Sequence, residues 1–246
     1  MMQPDLIKTD INDHNEMQRT YYGTKIKKTM TPVDSYYVNR HVDKLITASG
    51  IEPAHQILEV GCGMGKFTLP LLDKGFQITG VDLSPFLLEQ FQEYNTKAHH
   101  VELICSDILD MPKKLNARFD HVIGFFTLHH FLELEEYFVA MAKLLKPGGK
   151  ISFVEPNPYN PLYYVQMAIT PSMTWKGDKG ILNMVKGKFQ KAATHAQLNT
   201  PQITKYGFFP PFVVNKNPGR VTENFLEKLK IFKGVSAFQV VSFTKP

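Results

Sequence analysis

Residues 57–65 read Ile57-Leu58-Glu59-Val60-Gly61-Cys62-Gly63-Met64-Gly65. The first four are largely apolar and predict a short buried strand. Glycines then stand at alternate positions and make a tight loop. Lys66 onward (Lys-Phe-Thr-Leu-Pro-Leu-Leu) opens a helix. Strand, glycine loop and helix in that order form a nucleotide-binding arrangement. Glycine permits positive φ and lets a ligand approach bare backbone. The helix N-terminus offers unpaired N–H groups to an electron-rich ligand.

Outward from this loop the pattern alternates. A helix runs from about residue 65 to residue 73 or 74, and Gly75 stops it. Residues 76–82 predict a second strand ending on Asp82. Ser84 is a good N-cap and Pro85 suits the first position of the next helix, whose buried stripe is Leu87, Leu88, Phe91 and Tyr94. Residues 100–105 predict a third strand, 119–125 a fourth and 150–155 a fifth. Residues 134–145 are a helix between the last two, and 146–149 a turn. Strands and helices alternating at this spacing give an α/β fold: a doubly wound, mostly parallel, seven-stranded sheet of Rossmann-like form. An antiparallel strand at about 237–244, in a final hairpin, closes it. Ligands of such sheets bind at the carboxyl ends of the strands.

The flanks are less regular. Residues 1–32 are polar and predict a loose N-terminal arm, either a solvated tail or an arm that folds over the site when its ligand binds. Asp34 or Ser35 caps a helix to about Ala48, which Gly50 ends. After Glu155, prolines and aromatics interrupt the alternation, and residues 156–201 are expected to be an inserted helical cap. Residues 202–207 predict a short helix, 208–214 an extended segment and 221–232 a helix. The chain divides into an N-terminal arm and helix (1–49), a binding half (50–155), the cap (156–201) and C-terminal helices and closing strands (202–246), all within one domain.

With 246 residues the chain can bury a full core. Its 43% hydrophobic and 21% charged content is that of a soluble globular protein. There is no apolar run long enough to span a bilayer and no apolar core of a secretory leader at the N-terminus, so a cytoplasmic protein is expected. Cys62 and Cys105 fit a reducing compartment and a packing role, and make no metal pattern. The net charge of +5 is too mild to argue for nucleic acid.

A dinucleotide fingerprint spaces its glycines G-x-G-x-x-G. Here the spacing is G-x-G-x-G, and Lys66 stands where the third glycine belongs. Asp82 still ends the second strand, where a carboxylate accepts both ribose hydroxyls. Asp107 ends the third strand, and as an acceptor it suits the exocyclic amine of adenine.

Five motifs in order carry a resemblance: residues 59–65, Val81-Asp82-Leu83-Ser84, Ser106-Asp107-Ile108, Phe119-Asp120 to His130, and Leu145-Lys146-Pro147-Gly148-Gly149. Together they resemble the class I S-adenosylmethionine-dependent methyltransferases of the small-molecule type, over about residues 50–155. The resemblance implies S-adenosyl-L-methionine as cofactor and no metal. It implies that Gly61, Cys62, Gly63 and Gly65 carry backbone against the methionine moiety and that Glu59 helps position its ammonium group. It further implies Asp82 on the ribose, Asp107 on the adenine amine, and Leu83 and Ile108 on either side of the ring. Backbone at Gly124 and Phe125 completes the methionine pocket.

Methyl transfer from a sulfonium is an in-line displacement, so positioning supplies much of the acceleration. A base is needed only where the acceptor carries a proton. His130, His129 and Glu155 are the candidates, an imidazole being near its pKa at neutral pH; in the resembling family the second histidine of such a pair is the commoner and is often structural. Tyr21, Tyr22, Tyr36 and Arg40, with Tyr163 and Trp175 of the cap, are the expected acceptor contacts.

Residues 173–191 hold five lysines and one acid. Either this is a solvated helix with its apolar face on the body, or a cap that receives an anionic or lipid-linked acceptor or touches an anionic membrane surface peripherally. The expected reaction is methyl transfer to an N or O atom of a small, apolar or lipid-linked acceptor. An RNA or protein acceptor is the alternative, although Asn-Pro-Pro-Tyr, typical of amino-methylating enzymes on bases and glutamine, is absent and no basic RNA-binding module is visible. From other classes, a non-catalytic cofactor-binding subunit and a nicotinamide oxidoreductase are the alternatives, the second disfavoured by the glycine spacing.

Overall fold

The computed structural model describes residues 4–23, 26–169 and 179–246. The helices are α1 (Pro4–Tyr22), α2 (Tyr36–Ser49), α3 (Thr68–Asp73), α4 (Pro85–Tyr94), α5 (Leu134–Leu144), α6 (Pro161–Ile169), α7 (Lys186–His195), α8 (Pro211–Val214) and α9 (Asn217–Lys228). The strands are β1 (Gln56–Val60), β2 (Gln77–Asp82), β3 (Glu102–Cys105), β4 (Phe119–Phe125), β5 (Leu145–Pro156), β6 (Gln202–Tyr206) and β7 (Phe238–Thr244). They form one sheet in the order β3-β2-β1-β4-β5-β7-β6. β1 to β5 are mutually parallel, and β7 lies antiparallel between β5 and β6.

Alternate residues of each strand feed two cores, as the period of two requires. Leu58, Val122, Phe153 and Phe243 pack on one face with Phe138 and Met141 of α5 and Phe189 of α7. Ile57, Ile78, Ile123 and Val154 pack on the other with Val38, Val42 and Leu45 of α2, Leu71 of α3 and Phe91 of α4. Strand order reverses between β1 and β4, which places the switch point beside the glycine loop.

Local chemistry sets the boundaries. The Ser35 hydroxyl accepts the Val38 N–H at 3.3 Å, and Gly50 ends α2 at φ +69°. Ser84 caps α4 through the Leu87 N–H, also at 3.3 Å, with Pro85 at the first helical position. Among the described residues no helix is long and apolar enough to cross a membrane.

Several expectations are corrected. The N-terminal arm is not loose: residues 4–22 are helical, with Ile11 and Asn15 buried. Residues 202–206 form edge strand β6 rather than a helix, because alternate side chains of Gln-Ile-Thr-Lys-Tyr face the sheet and β7 supplies a partner. Residues 211–214 turn into a short helix where an extended segment was expected. The Lys-Pro-Gly-Gly segment belongs to β5, which starts at Leu145. Cys105 is exposed, so only Cys62 packs. Of the segment read as a cap, α7 lies in the body, with Phe189, Ala192 and Ala193 in the α5 core.

Candidate active site

The carboxyl end of β1 carries Glu59 into the interior, 1% exposed. Burial pushes its carboxyl up to about pKa 8, with the Thr68 side chain opposing and the Asp82 charge adding. One of its oxygens, Oε2, is buried without a hydrogen-bond partner. Such an atom costs free energy unless a donor reaches it.

Gly61, Gly63 and Gly65 follow at φ +73°, +50° and +85°, a run that side-chain-bearing residues adopt only under strain. At Gly61 a Cβ would also stand 2.6 Å from the Thr127 hydroxyl. The loop is tied to β2: Gly61 N–H donates to the Val81 carbonyl at 2.8 Å. Asp82 takes the Gly63 N–H on Oδ2 and the Ser84 N–H on Oδ1, each at 2.9 Å. One carboxylate thereby locks the glycine loop to the start of α4, and burial raises its pKa.

Asp107 follows β3. Its Oδ1 accepts the Leu109 N–H at 2.9 Å, and its Oδ2 accepts from the Asn15 carboxamide of α1. Asn15 also meets the Tyr137 hydroxyl at 3.1 Å. Ile108 is buried in the same core as Ile11 of α1, and Leu83 is half-buried. At Gly124 a Cβ would stand 2.2 Å from the Phe153 ring, so this glycine is bare for the sake of β5. Phe125 stacks on Phe67 at 4.4 Å.

The loop after β4 is built on Glu155, which is fully buried. Its Oε1 accepts the Thr127 and Leu128 N–H groups at 2.8 and 2.7 Å, and its Oε2 lies 2.7 Å from His129 Nδ1. Both carboxylate oxygens are engaged in shaping the loop. His130 Nε2 lies 3.3 Å from the Tyr22 hydroxyl, and its Nδ1 is buried without a partner. Burial, with His129, His14 and Lys27 around it, holds the His130 pKa well below the ordinary value. Its ring is therefore neutral at pH 7.

The N-terminal segment meets several of these groups. Asn15 meets Asp107, His14 Nε2 lies 2.8 Å from the His130 carbonyl, and Tyr22 meets the His130 ring. Thr29 offers its carbonyl to Lys66 at 2.6 Å, and Met30 Cε stands 4.0 Å from where a Gly63 Cβ would be. Lys27 lies over the Tyr21 and Tyr22 rings at 3.1 and 4.3 Å.

The other expected contacts are distributed elsewhere. Arg40 is committed to Glu223 and, at 2.5 Å, to Glu227, both on α9. Tyr36 carries the Arg220 guanidinium 4.5 Å from its ring centre. Tyr163 sits in the first turn of α6 with its N–H near Asn160 Oδ1. Trp175 lies outside the described residues. Sequence reasoning missed Asn15, Thr127 and Tyr137. Only their three-dimensional neighbours single them out, across as many as 122 residues of chain.

Residues 57–149 match the family model of a methyltransferase domain. The chain is 30% identical over 125 residues to the ubiquinone biosynthesis O-methyltransferase of Idiomarina loihiensis, covering 50% of this chain and 49% of that protein. It is 31% identical over 104 residues to the ribosomal RNA small subunit methyltransferase A of a Mycobacterium species, covering 37% and 35%. The chain thus spans about half or less of the length of these curated relatives. Its fold is similar to that of Haemonchus contortus phosphoethanolamine N-methyltransferase 2, solved in complex with S-adenosyl-L-methionine, with a TM-score of 0.60 at 17% identity over 85% of this chain and 52% of the other. Residues 57–149 are thus similar to the methyltransferase domains of the class I S-adenosylmethionine-dependent superfamily, whose fold the chain shares. The cofactor of that superfamily is S-adenosyl-L-methionine, and the residues present fit it. The glycine loop runs at positive φ, and the unpartnered Glu59 oxygen beside it suits a cationic amine.

Proposed function

We propose that the whole chain, residues 1–246, is one catalytic unit that transfers a methyl group from S-adenosyl-L-methionine to an N or O atom of a small, apolar or lipid-linked acceptor. The buried, unpartnered Glu59 oxygen next to three positive-φ glycines carries this reading. When bound, the cofactor supplies an electrophilic methyl on a sulfonium. Glu59 holds the ammonium group, and backbone at residues 61–65 lies along the methionine moiety. Asp82 accepts from the ribose and Asp107 from the adenine amine, with Leu83 and Ile108 beside the ring. Gly124 and Phe125 close the methionine end.

His130 is the group placed to take a proton from the acceptor, since its Nε2 faces the Tyr22 hydroxyl; the burial that keeps its ring neutral also weakens it as a base, so this assignment rests on position. His129 and Glu155 act as positioning residues that set the loop bearing it. The relatives include methyltransferases of both small molecules and ribosomal RNA, so the acceptor class rests on features of this chain. Tyr22 of the N-terminal segment, beside His130, supports a small organic acceptor over a polynucleotide.

Thermal unfolding with added ligands tests the cofactor. At one hundred times its dissociation constant, S-adenosyl-L-methionine is expected to add about 2.7 kcal/mol. Stabilisation by NADH instead would replace this reading with an oxidoreductase. Release of S-adenosylhomocysteine with a small-molecule extract, but not with RNA, tests the acceptor class. No release with either would leave a cofactor-binding subunit.

A further inference from the structure

The connection from β6 to β7 turns apolar side chains outward. α9 buries Glu223, 1% exposed, and points Glu227 at Arg40, while Val221 and Phe225, one turn apart, are 62% and 61% exposed. Acid inside and apolar outside inverts the usual amphipathic helix. Phe212 of α8, before it, is 74% exposed, and Ile231, after it, is 83% exposed. Both flanking turns pack on α9. Exposed apolar side chains are ordinary singly, but several on one short segment mark an interaction surface.

The charges indicate what covers it. Residues 211–235 hold five cations, Lys216, Arg220, Lys228, Lys230 and Lys233, against two acids, Glu223 and Glu227. Both acids are paired inward with Arg40, whereas the four lysines are exposed. The outer face is therefore apolar and cationic. That combination is complementary to the headgroup layer of an anionic bilayer, where apolar side chains enter the interface and lysines meet lipid charge. The α7 lysines are less suited, because Lys191 pairs with Glu135 at 2.5 Å. Location adds to the argument. Tyr206, at the end of β6, and Pro156, at the end of β5, both pair with Phe238 at the start of β7. The connection thus leaves and rejoins the sheet at the carboxyl end of β5, the end that carries Glu155 and the histidine loop.

We propose that residues 211–235 form a docking surface for an anionic lipid bilayer, which sets the candidate active site against the membrane. Docking does not require turnover, so its failure and the failure of the methyl-transfer reading are separate outcomes. The test is co-sedimentation of the full chain with vesicles of phosphatidylcholine alone and of phosphatidylcholine mixed equally with phosphatidylglycerol. Binding is expected only to the mixed vesicles, and is expected to weaken with salt. Lys230→Glu with Lys233→Glu should cut partitioning by more than about tenfold, each lysine being worth about fivefold. Phe225→Asp with Ile231→Asp should abolish it, while thermal midpoints and S-adenosylhomocysteine affinity stay unchanged. Lys186→Glu with Lys188→Glu should leave it intact. Three results would overturn the proposal: no binding to either vesicle, binding indifferent to the 225/231 and 230/233 pairs, or a wild-type dimer in sedimentation equilibrium that Phe225→Asp with Ile231→Asp converts to monomer.

Discussion

Glu59, one residue before the end of β1, has a carboxyl that burial keeps protonated up to about pH 8. A cationic amine at its free oxygen favours the ionised form, so with the proposed ammonium contact cofactor binding would expel a proton below that pH. Affinity for S-adenosylhomocysteine is therefore expected to rise with pH, by at most about tenfold per unit, and to level off above about 8. Calorimetry across that range checks this; Glu59→Gln should flatten the profile, and a flat wild-type profile would remove Glu59 from the ligand. Asp82 makes a different case, because its oxygens already hold Gly63 and Ser84. Asp82→Ala should weaken cofactor binding by about 1.5–3 kcal/mol, roughly ten- to a hundredfold, through the lost charged acceptor. Unchanged affinity by calorimetry would sink that assignment. Both acids were legible in the sequence because each stands at or next to the carboxyl end of a strand, at fixed spacing from the glycines. Asn15, Thr127 and Tyr137 were not, since nothing local distinguishes a polar residue that meets its partner only in the fold.

At the scale of elements, α1 departs furthest from the sequence reading. Its polar sequence gives little apolar periodicity, and among its described side chains only Ile11 and Asn15 are buried. It is held instead by polar contacts to Asp107, Tyr137 and the His130 loop, which a hydrophobic pattern cannot reveal. β6 escaped for a related reason: a five-residue strand takes its identity from its partner β7. The contact made by α1 carries a consequence for binding. Asn15 donates to Asp107 Oδ2, an oxygen that the adenine amine proposed for this carboxylate would need. Removing that competitor with Asn15→Ala is expected to tighten S-adenosylhomocysteine binding by about three- to tenfold, the order of one ordinary net hydrogen bond. Asp107→Ala should weaken it. Looser binding in Asn15→Ala, measured under the same conditions, would make Asn15 a cofactor contact and not a competitor.

Over the whole molecule, the parallel half was readable because each strand, glycine and cap speaks locally, from Ser84 on α4 to Gly50 after α2. The C-terminal third was less so, because its geometry depends on a buried ion cluster assembled from distant segments. Arg40 of α2 reaches Glu223 and Glu227 of α9; Glu223 also accepts the Phe208 and Phe209 N–H groups at 2.6 and 2.7 Å, and Glu227 the Gly207 N–H at 2.7 Å. The sequence offered Arg40 as an acceptor contact, whereas its partners make it the tie between α2 and the β6–β7 connection. Breaking such a pair leaves a buried charge uncompensated, so Arg40→Ala should cost about 3–5 kcal/mol in denaturant unfolding. Replacing both partners with leucine, Arg40→Leu and Glu223→Leu, removes the charges together. That double variant is expected to recover part of the loss, limited by the backbone donors of Phe208 and Phe209 that Glu223 no longer meets. S-adenosylhomocysteine affinity should be unchanged in whichever variant folds, because the cluster touches none of the glycine loop, Asp82 or Asp107. An Arg40→Ala protein with wild-type stability but altered acceptor KM would return Arg40 to the substrate site.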